Sequence, residues 1–262
     1  LHLSSTYNVY MVVMVRYWFF AAFVITISAK QVGGIRNAAR THQPYLQGFR
    51  GVLLATEICV MVTGFTYLGL VESLAIFSSY TLIVAAMSGP ILGEIVGWRR
   101  WMAIFSGLCG VLIILKPGMG VFSVYAIIPL IAASMFALYS LLTRYVARQD
   151  STATSFFWTG VTGCIVMTFV GMFHLEDMIP ADWLLMLCLC FTGATGHWLL
   201  IRCYEVAEAS AVQPFTYLQL VFGAAIGVMV FGEVIETNVA VGAVLVVAAG
   251  LFTLWRARVS VT

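Results

Sequence analysis

The sequence predicts an all-α membrane protein: a polytopic helical bundle with nine visible transmembrane helices of a ten-helix, five-plus-five inverted repeat. Three observations predict it. The first is composition: the 262 residues are 62% hydrophobic and 9% charged, with a mean hydropathy of +1.01. A soluble domain has about a quarter of its residues charged. So few charges cannot cover a water-facing surface, so lipid must face much of the chain. The second is a series of apolar stretches, each close to the ~20 residues a helix needs to cross a bilayer. The third is an internal echo whose two copies point in opposite directions.

The stretches run roughly over 8–29, 51–70, 74–95, 99–116, 123–143, 153–173, 183–204, 209–231 and 238–255. Short polar joints separate them, such as Lys30 to Arg50, Gly97 to Arg100, Arg144 to Ser151 and His174 to Asp182. No joint is long enough to separate soluble domains. The first stretch is not a signal peptide: residues 1–15 hold no Lys or Arg, Arg16 interrupts the apolar run, and no cleavage motif follows. Cys59, Cys109, Cys164, Cys188, Cys190 and Cys203 all fall in apolar runs, which predicts free thiols rather than disulfides or a zinc site. The net charge of +2, without a basic cluster, excludes nucleic acid as a partner.

Orientation follows from Lys and Arg in short loops. With nine spans, one side receives Lys30, Arg36, Arg40, Arg50, Arg99, Arg100, Arg144, Arg148, Arg202, Arg256 and Arg258, and the other only Lys116. That bias puts the C-terminus in the cytoplasm. The alternation also supports the span count, because one missed helix would scramble it.

The echo is specific in its order. Gly69-Leu70-Val71-Glu72-Ser73 precedes a span ending Leu92-Gly93-Glu94, and Glu205 to Ser210 precedes a span ending Phe231-Gly232-Glu233. Glu94 falls on the cytoplasmic side and Glu233 outside, so the halves are inverted, a recurring design of secondary transporters. Five spans follow Lys116-Pro117-Gly118 but only four precede it. Equal halves need five and five, so the first helix is expected to be missing, from a chain truncated or mis-started at its N-terminus. The repeats are then residues 1–118 and 119–262.

Further pieces bring a resemblance into view. They are Arg16-Tyr17, Arg50-Gly51, Gly97-Trp98-Arg99-Arg100, Gly110-Val111, Leu142-Thr143-Arg144, Pro214-Phe215-Thr216-Tyr217-Leu218-Gln219 and Ala248-Ala249-Gly250. Together with the echo, they make the chain resemble the EamA branch of the drug/metabolite transporter superfamily over essentially its whole length. The resemblance implies ten helices in two inverted five-helix repeats, cytoplasmic termini and a central substrate cavity that the absent first helix would help to line. It implies carriage of amino acids, related metabolites, nucleotide-derived compounds or drugs. A bacterial inner membrane is the expected location, and a homodimer is a candidate assembly.

Ionisable groups within spans cost roughly 2.5–3.5 kcal/mol to insert, so each needs a partner or water. Arg16, about 12 Å into its span, is a candidate anchor for a substrate carboxylate, or else a structural Arg that snorkels outward or binds helix-end carbonyls. Glu57 and His197 lie at similar depths from the cytoplasmic face and are candidates for one cavity and for proton exchange; each is otherwise satisfied by a hydroxyl or backbone group. Tyr80, Tyr139, Trp158, Tyr217 and Gln219 place polar tips inside spans and are candidates for stacking or hydrogen bonding to a solute. Glu94 and Glu233, at the surface beside glycines, are expected to cap or orient helices. Gly93-x-x-x-Gly97 and Gly223-x-x-x-Gly227 are expected to bring helices together, and Pro90 and Pro214 to break them.

These readings converge on a secondary transporter moving a small, amino-acid-like or otherwise amphipathic solute by alternating access, with export the expected direction. No GxxxxGK[ST] run exists to bind a nucleotide, and no cofactor or metal is expected. An intramembrane enzyme would want a nucleophile with His and acid, or an HExxH run, and neither pattern is present. A non-transporting structural or regulatory subunit is the other alternative.

Overall fold

The computed structural model describes residues 2–30, 34–93, 97–98, 101–102, 105–106, 109–110, 113, 124–216, 218–232 and 234–259. Among them the chain is all-helical: α1 (His2–Thr6), α2 (Val9–Lys30), α3 (Gly34–Ala39), α4 (Pro44–Leu68), α5 (Leu70–Phe77), α6 (Tyr80–Leu92), α7 (Ile127–Val146), α8 (Thr152–Gly171), α9 (Pro180–Val206), α10 (Ala209–Thr216), α11 (Leu218–Phe231) and α12 (Thr237–Val259). Six stretches among the described residues are long and apolar enough to cross a bilayer. The expected span 99–116 lies mostly outside the described residues, as do Glu94, Tyr217 and Glu233.

One boundary moves substantially. The second span begins at Pro44, not near residue 51. Hydropathy excludes Gln47 and Arg50 from a lipid-facing helix, but both are fully buried within protein, where neighbouring polar groups replace water. Proline also suits a first helical turn, whose N–H has no intrahelical acceptor.

Packing divides the chain into two compact units, Leu1–Val62 with Leu142–Val206, and Thr63–Leu141 with Ala207–Thr262. Each draws helices from both halves of the sequence, a division by packing that cuts across the division by repeat.

In the first unit α2 lies along α8. Gly160, Gly163 and Gly171 of α8 receive Phe20, Tyr17 and Met14 of α2, and a Cβ at Gly163 would sit 2.0 Å from the Tyr17 ring. Small residues let helices approach closely where lipid supplies no hydrophobic drive between them. Polar clasps close both ends of the unit. At one, Asp150 accepts from the Thr41 hydroxyl, from the His42 backbone N–H at 3.1 Å and from Gln47 Nε2 at 2.8 Å. At the other, Asp182 accepts from the Tyr7 hydroxyl at 2.8 Å and lies 3.0 Å from His2 Nε2. Burial opposes ionisation of Asp150, yet these three donors outweigh it and hold the carboxyl below its ordinary range.

In the second unit one helix is interrupted: α5 and α6 are separated at Ser78–Ser79. Gly93 and Gly232, 139 residues apart, both take positive φ (73° and 67°) just past α6 and α11. α5 packs on α11 and α6 on α10, so α5–α6 and α10–α11 run antiparallel.

The break is not where proline predicts it. α6 continues through Pro90 to Leu92, and the chain instead turns at two serines whose neighbourhood supplies its own hydrogen bonds. Ser78 Oγ donates to the Ala75 carbonyl at 2.6 Å, and Thr81 Oγ1 to the Ser78 carbonyl at 2.9 Å. Short-range hydroxyl bonds of this kind compete with the helical ladder and loosen it. Pro214 lies inside α10, two residues before its end; its side chain is outside the described residues. The pair Gly93 and Gly97 also departs from expectation: Gly93 terminates α6, and a Cβ at either position would meet nothing within 4 Å. Gly223 does mark a close approach, since a Cβ there would lie 2.2 Å from Leu74.

Candidate solute site

Three residues picked out by charge within apolar runs meet in the first unit. Arg16 of α2 donates from Nη2 to His197 Nε2 of α9 at 3.1 Å. An arginine has no acceptor, so Nε2 must accept, which makes His197 the neutral tautomer carrying its proton on Nδ1. The Phe20 ring is stacked on His197 with centroids 6.2 Å apart. Gly193, one turn before His197, leaves room for the guanidinium: a Cβ there would lie 2.6 Å from Arg16 Nε.

Glu57 of α4 is 4% exposed and lies in the field of Arg16. Among the described residues no hydrogen bond and no ion pair reaches its carboxyl. Glu57 lies close enough to Arg16 to feel its charge and too far from it to bond.

Arg50 is the residue that sequence reasoning missed. Reading it as a loop charge fails, because it is wholly buried and braces three helices. Nη1 donates to Thr143 Oγ1 of α7 at 3.0 Å, and Nη2 to the Ser155 carbonyl at 2.7 Å and to Thr159 Oγ1 at 2.8 Å on α8. Gly51 beside it admits Thr162 so closely that a Cβ would overlap the hydroxyl. The signal available was the pairing of Gln47 and Arg50 one turn apart after Pro44. Phe20, an unremarkable aromatic in sequence, was likewise missed.

The other expected site residues lie elsewhere. Trp158 of α8 donates its indole N–H to the Ala39 carbonyl at 3.1 Å, which ties the joint before α4 to the bundle. Tyr80 and Tyr139 are buried in the second unit around Phe136, whose ring centroid is 4.8 Å from Tyr80 and 5.9 Å from Tyr139. Gln219 is exposed on α11. That unit also holds an apolar groove of about 460 Å³ lined by Val71, Ala224, Val239, Ala243, Val247 and Leu251 among others. No cluster of His, Cys, Asp and Glu suited to a metal ion occurs among the described residues, and the six cysteines are free thiols.

Comparison with known proteins matches residues 123–255 to the profile of the EamA-like transporter family. An S-adenosylmethionine uptake transporter of Rickettsia prowazekii is 23% identical, over 94% of this chain and 83% of its own length. A riboflavin transporter of Vibrio cholerae is 28% identical, over 91% of this chain and 81% of its own. A pseudopaline exporter of Pseudomonas aeruginosa is 24% identical over 76% and 71%. A solved crystal structure superposes with a TM-score of 0.70 at 14% identity, over 95% of this chain and 88% of that one, which shows a shared fold.

Proposed function

The chain belongs to the EamA-like transporter family, and from that premise we propose that it carries a small solute bearing an anionic group, amino-acid-like or otherwise amphipathic, with Arg16 as the anchor. It is a transporter and not an enzyme. The observation that carries the reading is the Arg16–His197 contact. A guanidinium inside a span is costly, and here a neutral imidazole and a glycine hold it in place without a carboxylate bonded to it. Bidentate capture of a carboxylate is the chemistry a guanidinium does best.

Alternating access suits the interrupted helix of the second unit, because a span broken at Ser78–Ser79 can bend where a continuous helix cannot. The named relatives include an uptake protein and an exporter, so direction is set by the gradients a carrier is coupled to. The Lys and Arg bias supports a cytoplasmic C-terminus in a bacterial inner membrane.

Counterflow in liposomes tests the proposal, with a labelled panel of S-adenosylmethionine, riboflavin and amino acids. The wild-type chain should exchange at least one carboxylate-bearing solute, and Arg16→Ala should lose that exchange. Exchange that is indifferent to Arg16, or confined to solutes without an anionic group, would sink it.

A further inference from the structure

We propose that the joint between α2 and α4 binds an anionic phospholipid, with Lys30, Arg36 and Arg40 on the headgroup phosphate and Ile35, Tyr45 and Phe49 beside the acyl chains. The site is separate from Arg16 and requires nothing of the solute. The first unit is electrically polarised along its helices. One end gathers the α2–α4 joint, the α7–α8 joint and the end of α9. Hydrogen bonds from Thr41 and Gln47 to Asp150, from Gln43 to Gln149 and from Thr152 to Glu205 hold these pieces together. That end carries Lys30, Arg36, Arg40, Arg144, Arg148 and Arg202 against Asp150 and Glu205, an excess of four positive charges. The opposite end, residues 1–8 and 172–182, holds Glu176, Asp177 and Asp182 and no Lys or Arg.

Half of those cations are engaged within the chain. Arg144 donates to the carbonyls of Tyr204 at 3.0 Å and Glu205 at 3.3 Å, Arg202 pairs with Glu205 at 2.5 Å, and Arg148 lies 5.9 Å from the centre of the Tyr145 ring. Lys30, Arg36 and Arg40 differ. All three are exposed, and among the described residues their side chains make no hydrogen bond and no ion pair. The Arg40 N–H closes a turn on the Asn37 carbonyl at 3.2 Å, which keeps Arg40 one turn beyond Arg36. Residues one turn apart are neighbours on a helix face, and two guanidiniums so placed can share one phosphate. The surroundings select a lipid over a soluble anion. Ile35, next to Arg36, is 41% exposed, and Tyr45 and Phe49 in the first two turns of α4 are 94% and 50% exposed. Apolar and aromatic side chains beside cations at the end of a span match the boundary between headgroups and acyl chains, where basic residues meet lipid phosphate. The surface is a fixed one: α3 packs on α2 and α8, Ala38 is buried, and Trp158 holds the Ala39 carbonyl.

The test titrates the purified full chain, in an uncharged detergent, with phosphatidylglycerol or phosphatidylcholine of the same acyl chains, and counts bound lipid by native mass spectrometry. Each cation near anionic lipid contributes about fivefold, so the wild type should prefer phosphatidylglycerol by about a hundredfold at low salt. In the triple variant Lys30→Gln, Arg36→Gln, Arg40→Gln the preference should fall below about fivefold. Glu176→Gln with Asp177→Asn, at the opposite end, should leave it unchanged. Equal binding of the two lipids by the wild type would overturn the proposal, and a preference that survives in the triple variant would overturn the site. Glycerol phosphate is the soluble source of the same chemistry. It should not displace phosphatidylglycerol at equal concentration, and displacement would overturn the assignment to lipid. If the triple variant does not fold, Arg36→Gln alone must lower the preference about fivefold, and an unmoved preference overturns the proposal.

Discussion

The two compact units bury opposite kinds of chemistry. All four charged side chains buried among the described residues, Arg50, Glu57, Asp150 and Asp182, belong to the first unit. The buried polar groups of the second are uncharged: Ser73, Ser78, Ser79, Thr81, Ser88, Ser140 and Gln213. Its span Leu70–Leu92 is interrupted at Ser78–Ser79, whereas α8 and α9 of the first unit each run without a break. The difference separates two tasks. In the proposed carrier the charges, held by clasps and close helix contacts, would recognise the solute, and the hydroxyl-lined break would bend, because a hydroxyl can exchange one carbonyl for another at little cost.

The largest effect that would sharpen this contrast is on solute affinity. Arg16→Ala should weaken binding about a hundredfold or more, in keeping with the roughly 2–5 kcal/mol cost of removing one partner of a buried charged contact. Tyr139→Phe in the second unit should change it by about threefold or less. Equal losses in a binding assay would break the comparison.

Stability comes next. Arg50→Ala should lower the unfolding free energy by about 3 kcal/mol, since it removes charged hydrogen bonds worth roughly 1.5–3 kcal/mol each from three helices and leaves a void. Thermal unfolding in detergent reads this, and Arg50→Met should recover part of the packing. Gly163→Ala should cost about 1–3 kcal/mol, because the buried Tyr17 ring must move. Gly232→Ala, in the second unit, meets open space but requires a left-handed backbone; it should cost about 1–2 kcal/mol.

The smallest effect concerns pH. The Asp150 carboxyl is held below its ordinary pKa in the folded chain, so its contribution is complete above the unfolded value near 4 and is lost as pH falls through the folded value. The wild-type melting temperature should therefore drop in acid, and Asp150→Asn, about 1 kcal/mol less stable at neutral pH, should drop less.

Much of this was legible in the sequence, for a physical reason. Lipid admits only long apolar helices, so spans announce themselves, and a charge inside one stands out, which is how Arg16, Glu57 and His197 were found. The same logic hid Arg50, because a buried charge beside a polar joint looks like part of the joint. Ser78 and Ser79 were invisible as a break, because proline signals one loudly while two serines act only through the bonds they form. Trp158 and Tyr139 were ambiguous for another reason: an aromatic tip can bond a backbone carbonyl or a solute, and composition does not distinguish them.

The central claim is that recognition belongs to the first unit's Arg16, and solute-induced thermal stabilisation tests it most directly. A ligand at a hundred times its dissociation constant stabilises the state it binds by about 2.7 kcal/mol. The account predicts a rise in melting temperature for the wild-type chain and for Tyr139→Phe, and none for Arg16→Ala at the same solute concentration. A rise that survives in Arg16→Ala and vanishes in Tyr139→Phe would place recognition in the second unit and contradict it.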